Sequence, residues 1–113
     1  MNQREILLVP FPFSDQSGRK VRSVIVISNN EFNDYSGDVI VVGVTSNLSK
    51  GRHTLNLSSS DLKEGKLFSL CCIKVENILR LEKGLIIKKI GTIGRKKLGD
   101  IISVLNDILE INK

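Results

Sequence analysis

A cation and a hydroxyl, Arg22 and Thr45, are the residues of this chain best suited to chemistry on a phosphate group. The apolar runs 21–28 and 39–45 predict two strands, which can pair antiparallel so that facing residue numbers sum to 67. This register places Arg22 opposite Thr45, with Cβ atoms about 4.5–5.5 Å apart. The planar donor fork of arginine suits phosphate oxygens, and a threonine hydroxyl can donate one more hydrogen bond. The alternative is a strand-end pair that binds only backbone carbonyls.

Polar and basic residues flank this pair on both sides and could surround a phosphodiester. The candidates are Ser14, Asp15, Ser17, Arg19 and Lys20 before it, Ser46 and Asn47 after it, and Lys50, Arg52 and His53 in the next loop. His53 suits acid–base work near neutral pH, although a surface-loop histidine is the simpler interpretation. Asn29, Asn30 and Asn47 could read base edges, but we expect them to cap turns. The second basic cluster, 88–89 with 95–97, is interpreted as solvated surface or as an extension of the same path.

Short runs rich in valine and isoleucine must position these residues. They predict six strands, at residues 6–9, 21–28, 39–45, 54–57, 67–75 and 85–93. Turn residues separate the runs and make consecutive antiparallel pairing plausible, and segments 46–53 and 58–66 are polar enough for exposed loops. Pro10 and Pro12 cannot donate to a sheet ladder, so Phe11 to Phe13 should leave the sheet and pack a ring on the core.

The chain then changes to a helical period. Apolar residues recur at helical spacing at Leu98, Ile101, Ile102, Leu105, Ile108 and Leu109. This amphipathic helix should pack on the sheet. The predicted fold class is therefore mainly β with α (α+β), a curled antiparallel sheet capped by a C-terminal helix, in a single domain spanning residues 1–113.

Charge and cysteine content narrow the partners. The 113 residues include 17 basic and 12 acidic ones, and the net charge of +5 favours a polyanion, with RNA, DNA, an acidic protein and an anionic membrane all open. The first aliphatic run is too short for a signal peptide or a membrane span, which predicts a cytoplasmic protein without a membrane partner. Cys71 and Cys72 are expected to be structural, since no other cysteine completes a metal site or disulfide framework. No metal or cofactor is predicted.

Four motifs in order resemble a known family. They are VPFPFSD at 9–15, GRKVR at 18–22, VIVISN at 24–29 and VIVVGVTS at 39–46. Together they look like the successive motifs of the MazF/PemK-type toxins, and the resemblance continues through 67–78 and 90–91 into the last helix. Each motif alone is weak, but their order and spacing are specific.

The resemblance implies an SH3-like barrel, a homodimer, and a metal-independent ribonuclease that cuts single-stranded RNA at short sequences. The family's catalytic arginine and threonine map onto Arg22 and Thr45. In this family the 2′-hydroxyl attacks the phosphate and leaves a cyclic phosphate and a free 5′-hydroxyl. A cognate antitoxin with an acidic, disordered tail would inhibit the toxin by occupying the basic groove.

The chain also departs from the family pattern. Relatives usually open the first strand with Gly-Asp, where this chain has Arg4-Glu5, and commonly have proline after the catalytic arginine, where it has Ser23. In some relatives an arginine and an aspartate of the fifth strand assist catalysis, and Cys71 and Ile73 are taken to stand there. These changes keep an alternative open, a catalytically silent barrel that binds RNA or a protein such as DNA gyrase.

Overall fold

The described part of the chain forms seven strands and two α-helices. The structure is a computed structural model that describes residues 1–10, 21–48 and 51–112. The elements are β1 (Glu5–Pro10), β2 (Val21–Val26), α1 (Asn30–Tyr35), β3 (Asp38–Thr45), β4 (Thr54–Leu57), β5 (Leu62–Gly65), β6 (Cys71–Glu82), β7 (Lys88–Ile93) and α2 (Arg95–Ile108). Short 3-10 turns lie at Ser59–Asp61 and Lys83–Leu85.

The seven strands form one sheet in which all pairs are antiparallel, in the order β4-β6-β3-β2-β1-β7-β5. The sheet curls into a half-barrel, and α2 packs on it, which confirms the predicted architecture. Consecutive pairing holds for β1 with β2 and for β2 with β3. It also holds for the predicted strands 54–57 and 67–75, since β4 pairs with β6. It is wrong for the other two neighbouring pairs, because β3 pairs with β6 and β7 returns to β1.

Aliphatic side chains are buried on both faces of the sheet, because neighbouring strand residues point to opposite faces. One apolar cluster contains Ile25 and Val42 together with Ile101 of α2. A second cluster contains Val24 and Val41. Both faces of β2 and β3 are therefore filled, so these strands cannot slip by one residue without displacing both clusters.

Helix α2 follows the predicted period, but its buried stripe differs from the prediction at two positions. Ile101 and Leu105 are buried and Leu98 and Ile108 pack against the core, as expected. Ile102 is 37% exposed and Leu109 is 70% exposed, so their placement in the stripe is wrong. Partly buried Val104 packs on the core instead. The apolar pairs at 101–102 and 108–109 allow more than one rotation of α2 about its axis. Contact with the curled sheet selects the rotation that is found.

Replacing Ile101 by alanine is expected to lower the free energy of unfolding by about 2–5 kcal/mol, because it opens a cavity in the main cluster. Ile101 is fully buried. The matched control is Ile102→Ala in the same turn, which should cost clearly less than Ile101→Ala because Ile102 is 37% exposed. Urea unfolding of both variants checks this, and equal losses would contradict the observed rotation of α2.

Two further elements lie in segments predicted as loops, and one strand is longer than expected. Helix α1 stands in the β2–β3 connection, where Asn29 Oδ1 caps it by accepting from the Phe32 N–H at 2.9 Å, as its predicted capping role requires. Strand β5 lies within the polar segment 58–66, because it pairs with β7 at the sheet edge. Strand β6 begins at Cys71 and runs past the predicted end at residue 75 to Glu82.

Arg4 adopts a backbone conformation that favours glycine. Its φ is 81°, in the left-handed region, where a side chain costs about 1–2 kcal/mol. The Arg4 N–H donates to the Val26 carbonyl at 2.8 Å, and its Nη1 donates to the Ile93 carbonyl at 3.3 Å. Glycine is the usual residue here in the toxins that the sequence resembles, and it adopts this conformation without strain.

Candidate functional site

Arg22 and Thr45 lie at the ends of two paired strands. Strands β2 and β3 pair in the register Ser23↔Val44 through Val26↔Val41, in which facing numbers sum to 67 as predicted. The next position in this register brings Arg22 opposite Thr45. Both side chains are half-buried and line the same groove. The predicted juxtaposition is confirmed, while its chemical role stays a prediction.

The Thr45 hydroxyl is oriented by the backbone that follows it. Its Oγ1 accepts a hydrogen bond from the Asn47 N–H at 3.1 Å. This bond uses a lone pair of the oxygen and leaves the hydroxyl proton to be donated. Ser46 and Asn47 are exposed beside it, as their predicted binding role requires.

The groove has a volume of about 470 Å³ and is built by three adjacent strands. Its lining consists of Arg22, Ser23, Gly43, Val44, Thr45, Lys74, Glu76, Asn77, Ile78 and Leu79. Two cations and one carboxylate therefore face the same space as the Thr45 hydroxyl. Such a set can bind a phosphodiester and also accept a proton from a neighbouring hydroxyl.

A bulge in β6 supplies the part of this groove that the sequence analysis missed. Val42 pairs with Ile78 while its neighbour Gly43 pairs with Lys74, so the residues 75–77 have no partner on β3. Glu76 and Asn77 project from this bulge and are exposed. Gly43 gives them room, since a Cβ built on it would lie 3.4 Å from the Asn77 Cβ. A polar pair between Val75 and Ile78 was the only signal in the sequence.

The turn before β4 lies against this bulge. The Val75 N–H donates to the His53 carbonyl at 3.2 Å, and His53 Nδ1 lies 4.0 Å from Glu76 Oε2. The structure therefore places His53 beside the groove through its contact with Glu76. Arg52 is exposed in the same turn.

Several predicted binding residues fall outside the described ranges. They are Ser14, Asp15, Ser17, Arg19 and Lys20 in the segment before β2, and Lys50 in the loop after β3. The predicted departure of Phe11 to Phe13 from the sheet lies in the same segment. All of these stay predictions.

The cysteines have structural surroundings, as expected. Cys72 is buried, and Cys71 packs partly against the main apolar cluster. Burial raises the pKa of the Cys71 thiol, which keeps it protonated and a poor nucleophile. Ile73 is fully buried in the core. Strand β6 therefore presents Lys74 and Glu76 to the groove, and not Cys71 or Ile73, which were expected at the positions of the family's assisting residues.

The second basic cluster is largely neutralised by ion pairs. Lys89 Nζ lies 2.9 Å from Glu64 Oε1 and 3.7 Å from Glu5 Oε2. Lys97 contacts Asp61, and Lys96 contacts Asp100 one helical turn away. This arrangement favours a surface role over an extension of the phosphate path. Asn30 is also engaged structurally, since its Oδ1 accepts from the Gln3 N–H at 2.8 Å.

The Glu64–Lys89 pair predicts a pH-dependent stability. The hydrogen bond and charge of Lys89 lower the pKa of Glu64, so the pair stabilises the fold above the unfolded-state value of about 4.3. This contribution is lost as the pH falls through the lower folded-state pKa. We expect Glu64→Gln to reduce the thermal unfolding midpoint slightly at pH 7 and to match the wild type in stronger acid. Glu110→Gln, at an exposed carboxylate, is the control, and a difference independent of pH would contradict the assignment.

Residues 1–10, 21–48 and 51–112 contain neither a membrane-spanning helix nor a metal-binding cluster of side chains. No helix there is long and apolar enough to cross a membrane. No three histidine, cysteine, aspartate or glutamate side chains are grouped there so as to hold a metal ion.

Comparisons with known proteins agree with the fold. The chain is 30% identical to the Endoribonuclease MazF of Staphylococcus epidermidis over 105 residues, covering 93% of this chain and 85% of that protein. A mycobacterial endoribonuclease solved with its cognate antitoxin shares the fold at a TM-score of 0.79 and 16% identity, with 100% of this chain and 98% of that chain covered. A MazE–MazF complex of Deinococcus radiodurans shares the fold at a TM-score of 0.78 and 15% identity, with 99% of this chain and 98% of that chain covered. The family model of PemK-like, MazF-like toxins of type II toxin–antitoxin systems matches residues 2–109, and the chain belongs to this family.

Proposed function

We propose that this protein is the toxin of a type II toxin–antitoxin system and cuts single-stranded RNA at short sequences without a metal ion. The observation that carries the proposal is the groove in which Arg22 and Thr45 meet Lys74 and Glu76 of β6. Family membership supports it, and so does the name of the staphylococcal relative, an endoribonuclease.

The reaction uses the RNA itself as nucleophile. The 2′ oxygen attacks the adjacent phosphorus, and the bond to the 5′ oxygen of the next nucleotide breaks, which leaves a 2′,3′-cyclic phosphate and a free 5′-hydroxyl. Negative charge builds on the non-bridging oxygens as the phosphorane forms. The Arg22 guanidinium stabilises that charge, and the Thr45 hydroxyl donates to one of the same oxygens.

Proton transfer needs a different group. A guanidinium stays protonated and can only donate, so Arg22 cannot take the proton from the 2′-hydroxyl. Glu76 is the one carboxylate among the described lining residues of the groove, and we assign it this acceptor role. The departing 5′ oxygen takes a proton from Arg22 or from water. Lys74 holds a neighbouring phosphate as a point charge.

Partners and location follow from the same proposal. Two of the solved relatives contain an antitoxin, which supports a cognate antitoxin for this chain. An acidic, disordered segment of that antitoxin would occupy the cationic groove and fold as it binds. We also propose that the toxin is a homodimer and acts in the cytoplasm, where its messenger RNA substrates are.

The deciding experiment is to incubate the purified protein with a long single-stranded RNA in EDTA and to map the new ends. We expect cuts at a defined short sequence, with cyclic phosphate and 5′-hydroxyl ends, and none where a 2′-deoxynucleotide precedes the scissile phosphate. Cleavage that requires added metal would overturn the mechanism. Binding of diverse RNAs without any cleavage would instead favour a silent barrel of the same fold.

A further inference from the structure

The aromatic ring of Phe68 is fully exposed near the end of the sheet at which Arg22 and Thr45 lie. Phe68 is 108% exposed in the connection between β5 and β6, and Leu70 beside it is 45% exposed. The chain has only 4 phenylalanines, 1 tyrosine and no tryptophan, and one of these few aromatic side chains is exposed to solvent instead of being buried in the core. Aromatic side chains are enriched at binding interfaces relative to the rest of a protein surface.

The backbone that presents Phe68 is anchored on both sides. Ser59 Oγ accepts from the Leu67 N–H at 3.0 Å and donates to the Leu67 carbonyl at 3.3 Å. The Leu67 side chain packs against the main apolar cluster. Three residues after Phe68, Cys71 begins β6 and packs on the same cluster. Phe68 is therefore held on a short arch, so little entropy is lost when a ligand contacts it.

The arch lies at the same end of the sheet as Arg22 and Thr45. Thr45 pairs with Cys72, and the β3–β6 ladder ends there. Phe68 is four residues from Cys72, which limits the chain between them to about 14 Å at about 3.6 Å per residue. The exposed polar residues Ser46 and Asn47 continue β3 toward the same region. A nucleotide next to the bound phosphate can therefore reach the ring.

We propose that Phe68 is a stacking platform for a nucleobase of the RNA strand whose phosphate lies between Arg22 and Thr45. This inference rests on the proposed function and adds a residue that fixes the position of the strand. Unstacked bases of single-stranded RNA bind aromatic faces of this kind. The exposed neighbours of Phe68 in the chain include Lys66 and Ser69 as well as Leu70, and this mixed polar and apolar setting fits one flat base rather than a broad apolar partner.

Binding of a non-cleavable RNA tests the platform, with a 2′-deoxynucleotide at the mapped cleavage site. We expect Phe68→Ala to weaken affinity about 5- to 150-fold, as for loss of one base–aromatic stack. Phe68→Trp should retain affinity, and Phe68→Leu, which is apolar without a flat face, should not. Tyr35→Ala is the matched control, since Tyr35 is 83% exposed on α1 at the other end of the β2–β3 pair.

An abasic scan identifies the partner of the ring. Bases are removed from the RNA one at a time. At one position, removal should weaken binding by the wild type but should not further weaken binding by the Phe68→Ala protein. Equal affinity of Phe68→Ala and the wild type, or full affinity of Phe68→Leu, would overturn the platform while leaving cleavage and the proposed function intact. Failure of the unsubstituted protein to bind or cut RNA would overturn both. Loss of antitoxin binding alone in Phe68→Ala would show a protein-docking residue and overturn the inference.

Discussion

RNA cleavage by an Arg22→Ala variant is expected to fall by about 10²–10³-fold, the loss typical of removing one donor that stabilises transition-state charge. Arg22 lines the groove opposite Thr45, where charge builds on the phosphorane oxygens. Arg22→Lys keeps the charge but loses the planar fork, so it should recover only part of the rate. Initial rates on an oligonucleotide with a single mapped site provide the measurement.

The control for charge is Lys88→Ala. It removes one exposed cation from β7 that is not part of the groove lining, and it should leave the rate unchanged. Thermal unfolding of each variant separates a loss of chemistry from a loss of fold. Cleavage that survives Arg22→Ala in a folded protein would rule out the proposed site, and an equal loss in Lys88→Ala would mean that net charge alone explains the effect.

Replacing Glu76 by glutamine should reduce the cleavage rate by about 10²–10⁴-fold, the contribution typical of a general base. The amide keeps the shape and the hydrogen-bonding capacity of the side chain, but it cannot take the proton of the 2′-hydroxyl. RNA affinity should stay equal or increase, because a negative charge that faces the phosphates is removed. A loss of rate without a loss of affinity distinguishes a chemical role from a binding role.

Glu82→Gln at the far end of the same strand is the matched control for Glu76. Glu82 faces Asp38 in the ladder, is exposed, and lies outside the groove lining. Its replacement should change neither rate nor affinity. If Glu76→Gln cleaves as fast as the wild type, the proton acceptor is water or a substrate group, and the Arg22–Thr45 pair carries the chemistry alone.

The register of the central strands could be predicted from the sequence because both flanking runs are continuous and aliphatic. Residues 24–26 of β2 and the valines at 39, 41, 42 and 44 of β3 are buried, and the register of these segments brings Arg22 opposite Thr45. Local chemistry also predicted a turn-capping role for Asn29, although not the helix α1 that it caps.

The bulge in β6 could not be predicted in the same way. Its position depends on where the pairing register between β3 and β6 shifts. That register is set by two strands that are distant in sequence. Lys74, Glu76 and Asn77 therefore had no assigned partner from the sequence alone. Similarly, β5 forms because it can pair with the edge strand β7. Its own residues, Leu62–Gly65, have little preference for a strand.

The bulge has a consequence for how this toxin can change during evolution. Glu76 and Asn77 stand outside the β3–β6 ladder and are exposed, so their replacement disturbs neither the register nor the core. Exposed substitutions of this kind usually alter stability by less than about 0.5 kcal/mol. Substitutions at Asn77 can therefore change the polar lining of the groove without compensating changes elsewhere. The paired strands stay fixed, and the unpaired segment is the part of the groove that can vary.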